Sequence, residues 1–162
     1  MYYLRALLLI LAFAGSATLV AAQAANVTFG TFKADPSQPV EVTADSLDVN
    51  QANGSAMFKG NVLIGQGEMR LTAQQVLVVY ADGGRGIERL EATGGVTLIS
   101  GPDAAEADRA DYTIASGVIV MTGDVLLTQG PSALAADKMT VSLTTGTAQM
   151  VGRVKTILQT GE

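Results

Sequence analysis

Pairs of acidic residues are the first feature of this sequence that could carry chemistry. Asp45 stands three positions before Asp48, and Asp108 three before Asp111, and two neighbouring carboxylates are what acid–base hydrolysis of a glycosidic bond requires. Side chains three positions apart on a strand point to opposite faces, so neither pair meets one substrate from a single strand. Asp45, Asp108 and Asp137 also recur at equivalent positions of a repeat. This recurrence favours a structural role, in which each side chain holds a turn by hydrogen bonds to backbone.

Two further patterns resemble binding sites. Residues 83–86 read Gly-Gly-Arg-Gly, as in a phosphate-binding loop, but no Lys-Ser/Thr and no helical pattern follow them, which favours a flexible hairpin tip. Asp82, Asp103 and Glu106 could bind calcium, but their spacing matches no repeated ligand pattern. The chain has no His and no Cys, which removes imidazole bases and soft metal ligands. The sequence therefore predicts no enzyme active site, no metal and no cofactor.

An internal repeat accounts for the spacing of these residues. Its two landmarks are Gly-x-Val at residues 60–62, 94–96, 123–125 and 152–154, and Ala-Asp or Ala-Gln at residues 44–45, 73–74, 107–108 and 136–137. Each Gly landmark precedes the next Asp or Gln by 14 residues, and the return spacing is 15 residues except in the second unit, where it is 20. The extra residues fall in the Gly-rich segment 81–86. Such an insertion, with register kept around it, is typical of a structural repeat.

Between the landmarks, apolar residues alternate with polar ones. Val76, Val78 and Tyr80 fall on one face of a strand, whereas Lys59 and Asn61 fall on the face opposite the apolar one. β-Branched residues favour strands over helices, and a glycine inside a strand marks a bend. We therefore predict that each strand turns a corner at Gly-x-Val. A short first strand is predicted at residues 39–43, and hairpin turns at 50–54, 81–86, 115–117 and 144–146.

The N-terminal segment, residues 1–24, has the pattern of a secretory signal peptide. Arg5 supplies a positive charge, Leu7–Val20 is apolar, and small residues surround a cleavage site after Ala24. The alternative is a membrane anchor that is retained.

Beyond the signal peptide we predict a flexible leader at residues 25–37 and one β domain at residues 38–162. Without Arg5 the chain holds nine Lys and Arg against fifteen Asp and Glu, a net charge of −6. No basic stripe is present to meet phosphates, which argues against a nucleic-acid partner. Without Cys the exported domain has no disulfides and depends on its own core. Stacked repeats bury a continuous apolar strip, which is either a closed core or a groove for an acyl chain.

Several segments together resemble the LptA/OstA family of periplasmic lipopolysaccharide transport proteins of Gram-negative bacteria. They are residues 38–42, 58–62, 65–67, 71–78, 123–125 and 136–139. The resemblance extends over residues 38–158, and Gln74 stands where the repeat usually has Asp. It implies an all-β fold, a repeat-built antiparallel β-jellyroll that is V-shaped and open along one side. It also implies a periplasmic location and an interior that holds the acyl chains of lipid A.

The resemblance and the alternation together predict which residues line the groove. They are Val40, Val42, Leu47, Val49, Val62, Ile64, Val76, Val78, Val96, Leu98, Tyr112, Ile114, Val125, Leu127, Met139 and Val141. A smooth lining without charged anchors lets a lipid move along it.

End-to-end assembly is the second property that the resemblance implies. The partners would be further copies of the chain, head to tail, an LptC-like inner-membrane protein and an LptD-like outer-membrane translocon. Strand addition needs exposed edges, and the predicted assembly edges are Val40, Glu41, Val42, Val154, Thr156, Ile157 and Leu158.

Other interpretations stay open from the residues. The chain could be an LptC-like membrane-anchored component of the same pathway, or the N-terminal domain of a translocon. It could also be a structural β-solenoid that binds no lipid. A polysaccharide-active enzyme would need acidic residues clustered on one exposed face, and the sequence shows no such cluster.

Overall fold

The protein is an antiparallel all-β structure in a computed structural model that describes residues 25–28 and 37–158. The strands are β1 (Ala25–Thr28), β2 (Glu41–Thr43), β3 (Ser46–Asn50), β4 (Ser55–Gln66), β5 (Met69–Tyr80), β6 (Ile87–Ser100), β7 (Asp103–Thr113), β8 (Val118–Gln129), β9 (Ser132–Ser142), β10 (Thr147–Val151) and β11 (Lys155–Ile157). The predicted signal peptide lies outside the described residues. The described part of the chain contains no helix with the length and apolar character needed to cross a bilayer.

The strands form one open sheet in the order β1-β10-β9-β8-β7-β6-β5-β4-β2. From β4 to β10 each strand pairs with the next one along the chain, so hairpins connect them. Four of the turns between strands coincide with the four hairpin turns predicted from the sequence, and three more lie at residues 67–68, 101–102 and 130–131. The predicted first strand is shorter than expected and covers Glu41–Thr43. The sheet is not closed, and this confirms the predicted class of fold.

The long strands bend at the Gly-x-Val segments, as predicted. The pairing register shifts between Lys59 and Val62 in β4, and the corresponding segments of β6 and β8 interrupt their ladders in the same way. These corners divide the sheet into two halves. Half-sheet A consists of β3, β10 and the segments 55–59, 75–80, 87–93, 109–113, 118–122 and 138–142, and half-sheet B of β2, β11 and the segments 62–66, 69–73, 96–100, 103–107, 125–129 and 132–136.

Each corner places an Asp or Gln side chain directly over the corner glycine. Gly123 has φ +85°, and the next residue, Asp124, is also left-handed with φ +42°. A Cβ atom added to Gly123 would lie 2.7 Å from Cβ of Asp108, and one added to Gly94 would lie 2.7 Å from Cβ of Gln74. Real side-chain carbons do not approach this closely. The corner therefore needs glycine for its backbone conformation and for the space above it.

Hydrogen bonds lock the first and last corners. The backbone N–H of Asp45 donates to the carbonyl of Gly60 at 2.9 Å, and Asn61 Nδ2 donates to the Asp45 carboxylate at 2.8 Å. At the last corner, Arg153 donates from Nε and Nη2 to Asp137 Oδ1 at 2.9 and 2.5 Å. The predicted structural role of the repeated aspartates is confirmed. The carboxylates of Asp45 and Asp137 differ from the prediction by bonding to neighbouring side chains rather than to backbone.

The N-terminal segment contains a strand that the sequence does not predict. Within the expected flexible leader, β1 pairs antiparallel with β10, with Ala25 opposite Met150 and Thr28 opposite Thr147. Residues 29–36 lie outside the described ranges. β1 therefore covers one edge of half-sheet A, at the end of the molecule opposite β2.

The corner contact predicts a specific stability difference between two glycines. Gly123→Ala should destabilise the protein by about 2–4 kcal/mol, because it adds left-handed strain of roughly 1–2 kcal/mol and crowding against Asp108. Gly130→Ala is the matched control, because Gly130 is also left-handed (φ +53°) but has no atom near its added Cβ. Urea unfolding measures both. Equal losses in the two variants would show that the contact with Asp108 contributes nothing.

Candidate functional site

The two half-sheets enclose a continuous apolar interior. Along β5 the buried side chains are Met69, Leu71 and Ala73 before the corner and Val76 and Val78 after it. The step of three residues from Ala73 to Val76 coincides with the register shift. The corner thus consumes one extra residue, and the same face of the strand stays inside on both sides of the bend.

Most of the predicted groove residues lie in this interior. The fully buried ones are Val62, Ile64, Val76, Val78, Val96, Leu98, Tyr112, Val125, Leu127, Met139 and Val141. Val40, Val42 and Ile114 are half-buried and pack against the same cluster. Leu47 and Val49 are 50% and 63% exposed, because β3 is the last strand of half-sheet A at its end. The other predicted groove residues belong to the core or pack against it, and side chains fill the interior of the protein.

The inner face of half-sheet B ends in polar residues beside the hairpin turns. Gln66, Ser100 and Asp103 occupy the last inward-facing positions of β4, β6 and β7, and all three are buried. Gln129 is the corresponding residue of β8, and its Nε2 donates to Asp103 Oδ2 at 3.1 Å. We call these four residues the polar margin of half-sheet B.

One buried hydrogen bond joins the two half-sheets at this margin. The Tyr112 hydroxyl, in half-sheet A, donates to Gln66 Oε1 at 2.6 Å, and Gln66 Nε2 donates to the carbonyl of Gln38 at 2.9 Å. Burial raises the pKa of the Tyr112 phenol, and the bond to Gln66 lowers it in part. The hydroxyl is therefore neutral and acts as the donor at physiological pH.

The outer face of half-sheet A carries the charges. Arg109 bridges Glu91 and Asp111 at 3.0 and 2.6 Å, and Arg89 also contacts Glu91 at 2.8 Å. The hydrogen bond from Arg89, followed by that from Arg109, lowers the pKa of Glu91 against the opposing effect of its partial burial. These groups are only partly buried, so solvent screens each pair and reduces its contribution to stability. They keep the outer face charged.

The acidic residues considered for catalysis lie apart from one another in the structure. Asp45 and Asp108 lie at different corners, Asp48 pairs with Lys59 at 2.7 Å, and Asp111 pairs with Arg109. The predicted hairpin tip at residues 83–86 is an exposed turn between β5 and β6. Within residues 37–158 no three acidic side chains come together as a metal site would require.

Both ends of the molecule expose apolar side chains on end strands. Leu47 and Val49 lie at the end formed by β2 and β3, and Ile157 and Leu158, which are 56% and 67% exposed, lie at the other end in and after β11. Of the predicted assembly edges, Glu41 and Val42 lie in β2, Thr156 and Ile157 in β11, and Val40, Val154 and Leu158 just outside these strands. β11 pairs with β9 alone. The edge of β10 is occupied by β1.

Two features of the site are missed by reasoning from the sequence. Pairing of β1 with β10 joins residues more than a hundred positions apart, and no local pattern signals it. The polar margin has a signal in the sequence, since Gln66 and Gln129 continue the inward phase of Ile64 and Leu127 by two positions. Their position beside turns makes them resemble loop residues.

Together, the corners, the apolar interior and the open sheet define an antiparallel β-jellyroll. A sequence profile of the LptA/(LptD N-terminal domain) LPS transport protein family matches residues 41–147. The chain belongs to this family, which confirms the resemblance described above. The name of this family refers to lipopolysaccharide transport.

Two individual proteins are similar to this chain. LptH of Pseudomonas aeruginosa, described as the LptA-homologous periplasmic component of the lipopolysaccharide transport device, superposes with a TM-score of 0.69 at 19% identity. The alignment covers 78% of this chain and 99% of LptH, and at that identity it supports the fold alone. An uncharacterized protein of Rhizobium meliloti (strain 1021) is 30% identical over 112 residues, 65% of this chain. The chain spans 60% of that relative's length.

Proposed function

We propose that this protein shields the acyl chains of lipid A in its apolar interior and carries lipopolysaccharide across the periplasm. The observation that carries the proposal is the unbroken apolar inner face, which contains a buried residue at successive inward positions of β4 to β9. Eight strands of half-sheet A, spaced by about 4.8 Å, make this face roughly 34 Å long. Its length and lack of charge suit a lipid that moves along it.

The physical need for such an interior is large. Each methylene exposed to water costs about 0.8 kcal/mol, so an acyl chain of a dozen methylenes costs roughly 10 kcal/mol in transit. An apolar lining removes this cost along its whole length. The inner face of half-sheet A has no charged anchor and therefore no single deep binding position, which favours onward movement.

Side chains fill the interior, so lipid entry requires the two half-sheets to separate. The backbone of β4 to β9 connects the two half-sheets at the corners. At the opposite side, the described residues connect them through side chains such as Tyr112 and Gln66. The corners are locked by the contacts between Asp or Gln and Gly. Opening therefore takes place at the margin, with the corners as the hinge side.

End-to-end assembly would extend the interior into a bridge. The exposed apolar residues at both ends support it, because docking of one end on the other covers Leu47 and Val49 at the first end and Ile157 and Leu158 at the second. Strand addition of this kind is head-to-tail and does not close into a ring. The proposed partners are a second copy, an LptC-like inner-membrane protein and an LptD-like outer-membrane translocon.

Photo-crosslinking tests the lipid-binding interior with two adjacent leucines. Leu127 is fully buried on the inner face of β8, whereas Leu126 is 39% exposed on the outer face. A photoreactive leucine analogue at position 127 should capture lipopolysaccharide in cells, and the same analogue at position 126 should not, as judged by mass shift and antibody detection. Equal labelling at the two positions would reject the proposed inside. A protein that captures no lipid at either position would be a purely structural jellyroll.

Self-association tests the proposed ends. Ile157→Asp should weaken end-to-end assembly at least ten-fold, because it places an unpaired charge at a strand junction. Ile99→Asp is the matched control, since it introduces the same charge at an exposed isoleucine in β6, in the middle of half-sheet B. Sedimentation velocity over a concentration series gives the dissociation constants. Unchanged association of the Ile157 variant would place the contact elsewhere.

A further inference from the structure

The polar margin of half-sheet B departs from the pattern of the inner face. Inward positions are apolar along almost all of the interior, yet Gln66, Ser100 and Asp103 are polar and less than a tenth exposed. Burial of a polar side chain is unfavourable unless it is hydrogen-bonded. Residues near turns are often polar because water reaches them, but water does not reach these three side chains. Their position beside turns therefore does not explain why they are polar.

The opposite margin shows that turns alone do not require this polarity. At equivalent inward positions beside its hairpin turns, half-sheet A carries Leu90, Ile119, Leu143 and Ala148, which are buried and apolar. Apart from Met69 of β5 in half-sheet B and Tyr112 of β7 in half-sheet A, the margin of half-sheet B is thus polar and that of half-sheet A is apolar. An interior with one polar and one apolar margin suits an amphiphile whose acyl chains lie inside and whose headgroup lies to one side.

The chemistry of the margin identifies the headgroup. Gln66 and Gln129 present amides, Ser100 a hydroxyl and Asp103 a carboxylate, and the described Lys and Arg residues lie on the outer face, in turns or at the corners. Amides, hydroxyls and carboxylates bind sugar hydroxyl and amide groups, whereas phosphates require cationic partners. The margin suits carbohydrate.

We propose that the polar margin of half-sheet B is a binding track for the sugar part of a glycolipid. The inference rests on the proposed function, since it assumes that the acyl chains occupy the interior. In this structure the Tyr112 hydroxyl donates a hydrogen bond to Gln66, and the Gln129 amide donates one to Asp103. Sugar hydroxyls and amides take over these hydrogen bonds when the half-sheets separate, so the polar side chains stay bonded in both states.

The test compares two ligands on one variant. The double variant Gln66→Leu/Gln129→Leu makes the margin apolar. Purified lipid A presents sugars and acyl chains, whereas N-phenyl-1-naphthylamine is a fluorescent apolar probe without a headgroup. The variant should bind lipid A about ten-fold more weakly than the wild type, the effect of losing about two hydrogen bonds. Its affinity for the apolar probe should stay within two-fold.

A matched variant and three outcomes decide the proposal. Gln75→Leu removes a glutamine from the exposed outer face of β5 and should bind both ligands as the wild type does. Unchanged lipid A binding, or an equal loss for both ligands, in the double variant would overturn the track alone. A wild type that binds neither ligand would overturn the proposed function together with it.

Tyr112→Phe provides a second test if the double variant does not fold. It removes only the hydroxyl that donates to Gln66. Tyr80→Phe is its control, because the side chain of Tyr80 is exposed on the same half-sheet. If sugar replaces this hydroxyl, lipid A should bind the Tyr112 variant about five-fold faster, and Tyr80→Phe should have no effect. An equal or slower rate would contradict the exchange of hydrogen bonds.

Discussion

The contact between an Asp or Gln side chain and a corner glycine is the constraint on which the rest of the structure depends. A strand of twelve residues cannot line two opposing faces unless it bends, and here the bend requires two consecutive left-handed residues, as at Gly123 and Asp124. The side chain of Asp108 fills the space over the glycine. Because the same corner recurs in every second strand, at β4, β6 and β8, the bends lie along one line and the inner faces stay in register.

The two half-sheets are joined more firmly along this line of corners than at the opposite margin. Backbone connects the half-sheets at the corners, while side-chain packing and the bond between Tyr112 and Gln66 connect them at the margin. A binding protein for a bulky amphiphile needs both properties. The corners preserve the fold during opening, and the margin closes the apolar interior against water when no lipid is present.

The sequence was sufficient to predict the repeat, the strands, the corners and the inner face, because these depend on local spacing and on alternation of period two. It could not predict which strands end the sheet. Leu47 and Val49 follow the same alternation as Val76 and Val78, yet they are exposed because β3 lies at the end of its half-sheet. Pairing of β1 with β10 and the contact between Tyr112 and Gln66 depend on long-range geometry, which local patterns do not encode.

Opening of the margin around lipid is the central claim, and the distance between the half-sheets measures it directly. The chain has no Cys, so cysteines introduced at Glu68 and Ser116, in exposed turns of half-sheets B and A, carry spin labels without background. Pulsed electron paramagnetic resonance should show a longer distance between these labels after lipid A is added. A control pair at Glu68 and Gly130, both in half-sheet B, should be unchanged. A stoichiometric lipid complex with an unchanged Glu68–Ser116 distance would contradict the account.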